Sequence, residues 1–204
     1  MVRKAADLGT GSRPGFDSIM VDMSHYEKEE NLSLTKELTQ YCHERGIATE
    51  AEPGRIEGGE DGVGDTADLS GVLTTPDEAQ RFVDTGIDWL APAFGNVHGN
   101  YGPRGIQLEY DRLDSINQKV GKQVRLVLHG ADPFDKQIHS RCVGHGVAKI
   151  NINKILNNPC LDTWKDFAEG KGPKGLTGII EESTKRMQKA VEGVIDMLGS
   201  AEKA

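Results

Sequence analysis

The chain is 204 residues long, 36% hydrophobic and 27% charged, enough for one globular unit with a real core. Its net charge is −8 and no run of Lys and Arg exceeds a dipeptide. That argues against a nucleic-acid partner, because a phosphate backbone requires a basic patch. Apolar runs are short (Arg125 interrupts the stretch from Val124 to Leu128), so no membrane span is expected.

Glycines number 25 without a collagen-like period, which fits βα turns and close approaches of backbone to a ligand. Cys42, Cys142 and Cys160 are odd in number and unpatterned, and read as reduced thiols of a cytoplasmic protein. Met1-Val2-Arg3-Lys4 opens a mixed polar stretch and not an apolar signal core.

Strand-like and helix-like segments alternate along the chain. Residues 18–22 form a short apolar run closed by Asp22, and residues 32–44 follow as a helix with Leu34, Leu38 and Tyr41 on one face, stopped by Gly46. A strand over 47–52 precedes a helix over 75–85 that ends at Gly86. Next come a strand at 89–93, a helix at 110–120, a strand at 124–128, a helix at 134–143 and a strand at 148–152. Two helical segments close the chain, the clearer one at 183–198 with Met187, Val191, Val194 and Leu198 three or four apart. The glycine-rich stretch 169–175 is a loop between them, and a single domain over 1–204 is expected.

Five strands each followed by a helix imply parallel βα units and an α/β fold. Polar residues close the strands: Asp22 and Ser24, Glu50 and Glu52, Asn96 and His98, His129, Asn151 and Asn153. In a βα barrel the active site sits at those strand ends. A flavodoxin-like open sheet also has five parallel strands and is the alternative on fold grounds alone.

His98 and His129 each end a strand and precede a glycine, a setting in which two imidazoles share a metal or serve as hydrogen-bonded structural residues. Asp22 and Glu52 at neighbouring strand ends would orient the imidazoles, hold a second cation, or form ordinary strand-end ion pairs. The glycine-rich acidic stretch 57–65 reads as a solvated loop, or as one that closes over a substrate and brings in a carboxylate for proton transfer. Gly130-Ala131-Asp132 and Asn151-Ile152-Asn153-Lys154 open the last two βα loops, the usual place for phosphate in such barrels.

Five segments, in order and spacing, resemble the class II fructose-bisphosphate and tagatose-bisphosphate aldolases over residues 15–153. Gly15-Phe16-Asp17-Ser18-Ile19-Met20-Val21-Asp22-Met23-Ser24-His25 is similar to the family's fourth strand. Glu50-Ala51-Glu52-Pro53-Gly54 with Gly58-Gly59-Glu60-Asp61 is similar to its fifth strand and mobile loop. Gly95-Asn96-Val97-His98-Gly99 and Leu128-His129-Gly130-Ala131 are similar to its later metal-histidine motifs, and Lys149-Ile150-Asn151-Ile152-Asn153 to its eighth strand.

The resemblance implies a partial TIM (β/α)8 barrel made of the family's fourth to eighth strands with their helices. It implies a zinc-dependent aldehyde-lyase of carbohydrate metabolism and glycolysis, cleaving a ketose bisphosphate to dihydroxyacetone phosphate and an aldehyde. His98 and His129 would bind the catalytic Zn2+, with Asp22 and Glu52 at an alternate or supporting metal position. Glu60 would move protons at the dihydroxyacetone-phosphate carbon. Gly99, Gly130, Ala131, Asp132, Asn151, Ile152, Asn153 and Lys154 would hold the phosphorylated sugar, with a monovalent cation near the phosphate. A homo-oligomer is consistent with the family, although no Asp-Pro-Arg segment follows Asn153.

Three departures stand out. The family pattern has three more strands before Asp22, the third carrying an Asp-His pair that this chain lacks, so a truncated product or incomplete gene model is expected. Five strands do not close an eight-stranded barrel. Asp132 stands where the family has a phosphate-binding serine, and Lys154 where it has a threonine. A truncated or degenerate paralogue that binds or assembles without catalysis is the alternative function.

Overall fold

A computed structural model describes residues 1–10, 13–56, 73–203 and the backbone of 58–63. In chain order the elements are α1 (Val2–Ala6), β1 (Gly9–Thr10), β2 (Arg13–Pro14), β3 (Ser18–Val21), α2 (Lys28–His43), β4 (Ala48–Ala51) and β5 (Gly58–Val63). Then follow α3 (Pro76–Val83), β6 (Trp89–Leu90), β7 (His98–Asn100), α4 (Tyr110–Val120), β8 (Arg125–Leu128), α5 (Lys136–Gly144), β9 (Val147–Ile150), α6 (Lys154–Ala168) and α7 (Gly175–Leu198).

Five strands form one sheet in the order β3-β4-β6-β8-β9. All its pairings are parallel, with Val21 opposite Ala51, Ala51 opposite Leu90, Leu90 opposite Leu126 and Leu128 opposite Ile150. Each strand therefore finishes at one rim of the sheet, and the residues just past it, Asp22, Glu52, His129 and Asn151, share that rim. Periodicity did not foresee helix α1, the antiparallel pair β1-β2 or the short parallel pair β5-β7.

Where the sequence offers no boundary, the chain gathers into two compact units, one of residues 1–131 and 141–151, the other of 132–140 and 152–204. The first holds the sheet. Its core is Val21, Ala51, Leu90, Phe94, Val97, Leu126, Val127 and Leu128 with Phe82, Leu113 and Ile116 from the helices. Helix α3 starts cleanly because Thr75 and Glu78 cap it reciprocally and Pro76 opens it. In the second unit α6 and α7 pack on each other, with Arg186 donating to Asp166 at 2.8 Å.

Helix α2 departs from its expected facing. Leu34, Leu38 and Tyr41 are only half-buried, and the fully buried stripe is Asn31, Thr35, Thr39 and Cys42. Leu38 and Tyr41 instead cover a smaller cluster of Val2, Ala6, Val21, Cys42 and Ile47. Asn31 explains the polar stripe: its amide donates to the carbonyls of Glu52 and Pro53 at 3.1 and 3.3 Å and accepts from the Thr35 hydroxyl at 3.1 Å. The helix thus ties down the end of β4 by hydrogen bonds, where leucine would leave buried carbonyls without partners.

Asn31→Ala should therefore lower unfolding free energy by about 1–3 kcal/mol, the cost of stranding buried polar groups. Urea denaturation reads this directly, and a change below about 0.5 kcal/mol, typical of a surface site, would contradict the tie.

Candidate metal centre

Strand period two places Glu50 and Glu52 on one face of the β4 segment, and Lys149 and Asn151 on one face of the β9 segment. His129 follows β8 directly. Between β4 and β8 lies β6, so the two strands are about 9.5 Å apart, a gap that a glutamate and an imidazole span together. Past Leu90, β6 runs into Ala91, Pro92 and Ala93, which leave room for that meeting.

The meeting is close. The His129 Nδ1 lies 3.1 Å from Glu52 Oε2, and Nε2 lies 2.9 Å from Glu50 Oε1. All three residues are buried, at 3% exposure for Glu50 and His129 and 4% for Glu52. Lys149 Nζ donates to the second Glu50 oxygen and to Asn151 Oδ1, both at 2.7 Å. The Glu52 carboxylate also accepts from the Ile56 amide at 2.6 Å.

Burial alone would lower the His129 pKa, but the hydrogen bonds and negative charges of Glu50 and Glu52 outweigh it and push the imidazole up to about 9. For Glu50 burial pulls upward, and the hydrogen bonds from His129 and Lys149 prevail, holding the carboxyl below its usual range.

His98 arrives differently from the expectation that it ends a strand of the sheet. It opens β7, whose partner is β5, with Gly58 paired to His98 and Val63 to Asn100. The chain turns away after β6 at Gly95, which sits at φ +105° with the Gln107 carbonyl 2.2 Å from where a Cβ would be. Asn96, buried behind the turn, accepts from the Phe94 amide at 2.9 Å and donates to the His129 carbonyl at 3.1 Å. The Tyr101 hydroxyl accepts from the Val97 amide and donates to the Gly130 carbonyl at 3.0 Å. These bonds dock the His98 loop on the His129 loop, and the two rings sit 5.6 Å apart. Gly130 has φ +69°, and a Cβ there would lie 2.1 Å from the Val97 carbonyl, so the contact admits only glycine.

Glu52, His98 and His129 each offer one ligand atom, all within 4.8 Å of one another. Bonds of 2.0–2.2 Å in a tetrahedron require separations of about 3.4 Å, so modest side-chain rotations bring the three onto one ion. Two imidazoles and one carboxylate are a zinc-type donor set with a position left open, and the residues fit that metal. Asp22 is not in the group: it is exposed and accepts from the Ser24 amide and hydroxyl at 3.0 and 2.7 Å. The remaining histidines have other partners, His43 with Asp88, His145 with Asp114, His139 with the Asp135 carbonyl, and His25 beside the Tyr26 ring. The Glu60 side chain lies outside the described residues. Glu50, Lys149, Asn96 and Asn31 were not singled out as site residues; only the strand-end position of Glu50 and Asn96 hinted at them.

Within the second unit, Asp132 Oδ1 accepts from the amides of Asn153 and Ile155 at 3.1 and 3.2 Å. Asn153 caps α6 and Ile155 lies in its first turn, so the carboxylate takes the helix-start amides that would otherwise receive an anion.

A five-stranded parallel sheet with Glu52, His98 and His129 converging near its strand-end rim, a donor set suited to a metal, defines a βα-barrel-type protein. The family model of class II fructose-bisphosphate aldolase matches residues 1–203, and the chain belongs to that family. A provisionally assigned fructose-bisphosphate aldolase of Coccidioides immitis (strain RS) is 61% identical, over 100% of this chain and 67% of its own. A crystal structure from Coccidioides immitis, similarly described, superposes with a TM-score of 0.89 at 61% identity, covering 99% of this chain and 68% of the other. The 6-phospho-5-dehydro-2-deoxy-D-gluconate aldolase of Shouchella clausii (strain KSM-K16) is 36% identical over 99% of this chain and 65% of its own. The chain thus spans about two thirds of the length of these relatives, and its parallel sheet matches that part of the aldolase barrel.

His129 titrates near pH 9 in the folded chain against an ordinary 6.5. A raised value means that its contribution to stability is complete below pH 6.5 and is lost as pH rises through 9. In chelator, the urea midpoint should fall between pH 7 and 9.5, and fall less in His129→Gln; equal slopes for the two proteins would refute the pairing.

Proposed function

We propose that this chain carries the metal-binding part of a zinc-dependent aldolase site, which in its full setting cleaves a ketose bisphosphate reversibly to dihydroxyacetone phosphate and an aldehyde. The observation that supports this most is the convergence of Glu52, His98 and His129, whose ligand atoms all lie within 4.8 Å of one another. Bound there, zinc would supply a Lewis acid for the substrate's ketone oxygen.

The chain's own residues supply the rest of the reading. Glu60 lies on β5, whose backbone pairs with β7 where His98 stands, and we assign it the proton transfer at the carbon next to the ketone. Gly99 and Gly130, each directly after a histidine, let a sugar approach the backbone, with Ala131 and Asn151 beside them. Asp22 follows Val21, which pairs with Ala51, and so stands at the same rim as Glu52 as a further carboxylate for a cation. In the second unit Ile152, Asn153 and Lys154 open α6, the place for an anionic group, with Asp132 as its competitor.

Zinc titration into the chelated chain should load one ion, and His98→Ala and His129→Ala should each weaken binding at least 100-fold. Fructose 1,6-bisphosphate cleavage, assayed with and without chelator, separates an enzyme from a partner protein that binds zinc without turnover. Zinc affinity unchanged by both substitutions would end the proposal.

A second expectation concerns the phosphate. Asp132→Ser frees the Asn153 and Ile155 amides, so inorganic phosphate at millimolar concentration should raise the thermal midpoint of the variant and leave the parent unmoved. Equal responses would show that the Asp132 carboxylate does not control these amides.

A further inference from the structure

Glu50 lies outside the ligand group, yet it is as buried as Glu52 and is held by more partners. Its two oxygens are both engaged, Oε1 by His129 Nε2 at 2.9 Å and by Asn151 Nδ2 at 3.4 Å, Oε2 by Lys149 Nζ at 2.7 Å. Lys149 is itself fixed, by Asn151 Oδ1 at 2.7 Å and over the Trp89 ring at 5.5 Å. A carboxylate taken out of water is costly unless paired, so this arrangement is specific to an ionised Glu50.

The same contacts decide where the His129 proton sits. Lys149 donates only, so the Asn151 oxygen faces Lys149 and the Asn151 amide nitrogen faces Glu50 and His129 Nε2, 2.9 Å away. Were Nε2 bare, Asn151 would donate to it, but the ring lone pair would then face an anionic Glu50 oxygen at 2.9 Å. Two electron-rich atoms at that distance repel. With the proton on Nε2, the ring donates to Glu50 and the Asn151 amide turns its hydrogen to the same carboxylate. Nδ1, 3.1 Å from Glu52, donates to that carboxylate while no ion is present, and it lies on the side where the ligand group converges, so this second proton is the one an ion would displace.

We infer that Glu50, clamped by Lys149, is a positioning residue: it holds His129 by its Nε2–H, fixing the ring's orientation and leaving Nδ1 to the metal. The inference rests on the zinc reading for its purpose, and on the Glu50–His129–Lys149 geometry alone for its substance. A carboxylate behind a metal-bound imidazole also raises the ring's basicity as a ligand, and loss of such a partner weakens metal binding about 10- to 100-fold. Lys149 holds that carboxylate ionised and in place, so both partners of the clamp support the site.

The test uses the full 204-residue chain with 15N-labelled histidine. In chelator, long-range 1H–15N spectra should show a slowly exchanging His129 Nε2–H that exchanges faster in Glu50→Gln and Lys149→Met. In zinc, Glu50→Gln should bind 10- to 100-fold more weakly, and Lys149→Met less weakened, with both variants retaining the Nδ1-bound form as a smaller fraction. Should Glu50→Gln fail to fold, Lys149→Met carries the same two readouts. A His129 Nε2 that is unprotonated in the zinc-loaded parent, or an Nε2–H and a zinc affinity unchanged in both variants, overturns the inference. Zinc failing to bind the parent while the Nε2–H still responds to Glu50→Gln supports the clamp and removes the zinc reading it was meant to serve.

Discussion

One imidazole between two buried glutamates is the constraint on which the candidate site depends. His129 meets Glu52 with one nitrogen and Glu50 with the other, and all three are withdrawn from water. Charges in such a place survive only if every one has a partner, and removing one partner costs more than the pair contributes. The surrounding polar residues follow from that demand. Lys149 neutralises Glu50, the Ile56 amide takes a Glu52 oxygen, Asn31 holds the backbone beneath Glu52, and Asn96 holds the His129 carbonyl. Four separate stretches of chain are fastened to one cluster, which would give a metal ion a seat formed before it arrives.

The fold was legible because its signals are local. Alternation of short apolar runs with helical periods marked all five strands of the sheet, and the polar residue past four of the runs marked the rim. His129 was legible for the same reason, standing directly after an apolar strand and before a glycine. His98 was legible as a candidate ligand but not in its setting. It opens a strand of a separate small sheet, and that follows from the turn at Gly95 and from hydrogen bonds between distant loops.

What escaped depends on register and packing. Nothing in the pattern of α2 distinguishes a leucine stripe facing the sheet from one covering a side cluster, and Asn31 reaches Glu52 only because the tertiary packing buries that face. The Glu50–Lys149 pair joins residues 99 positions apart, and becomes visible only once β4, β6, β8 and β9 are in register. Asp132 was noticed as a departure from the resembled motif, and its effect needed coordinates: the carboxylate sits on the amides that open α6.

X-ray absorption at the zinc K-edge on the loaded chain tests the central claim most directly. The account expects a shell of nitrogen and oxygen near 2.0–2.2 Å with the outer scattering of two imidazoles and no sulfur. One imidazole, or a sulfur at about 2.3 Å from Cys42, Cys142 or Cys160, would contradict it.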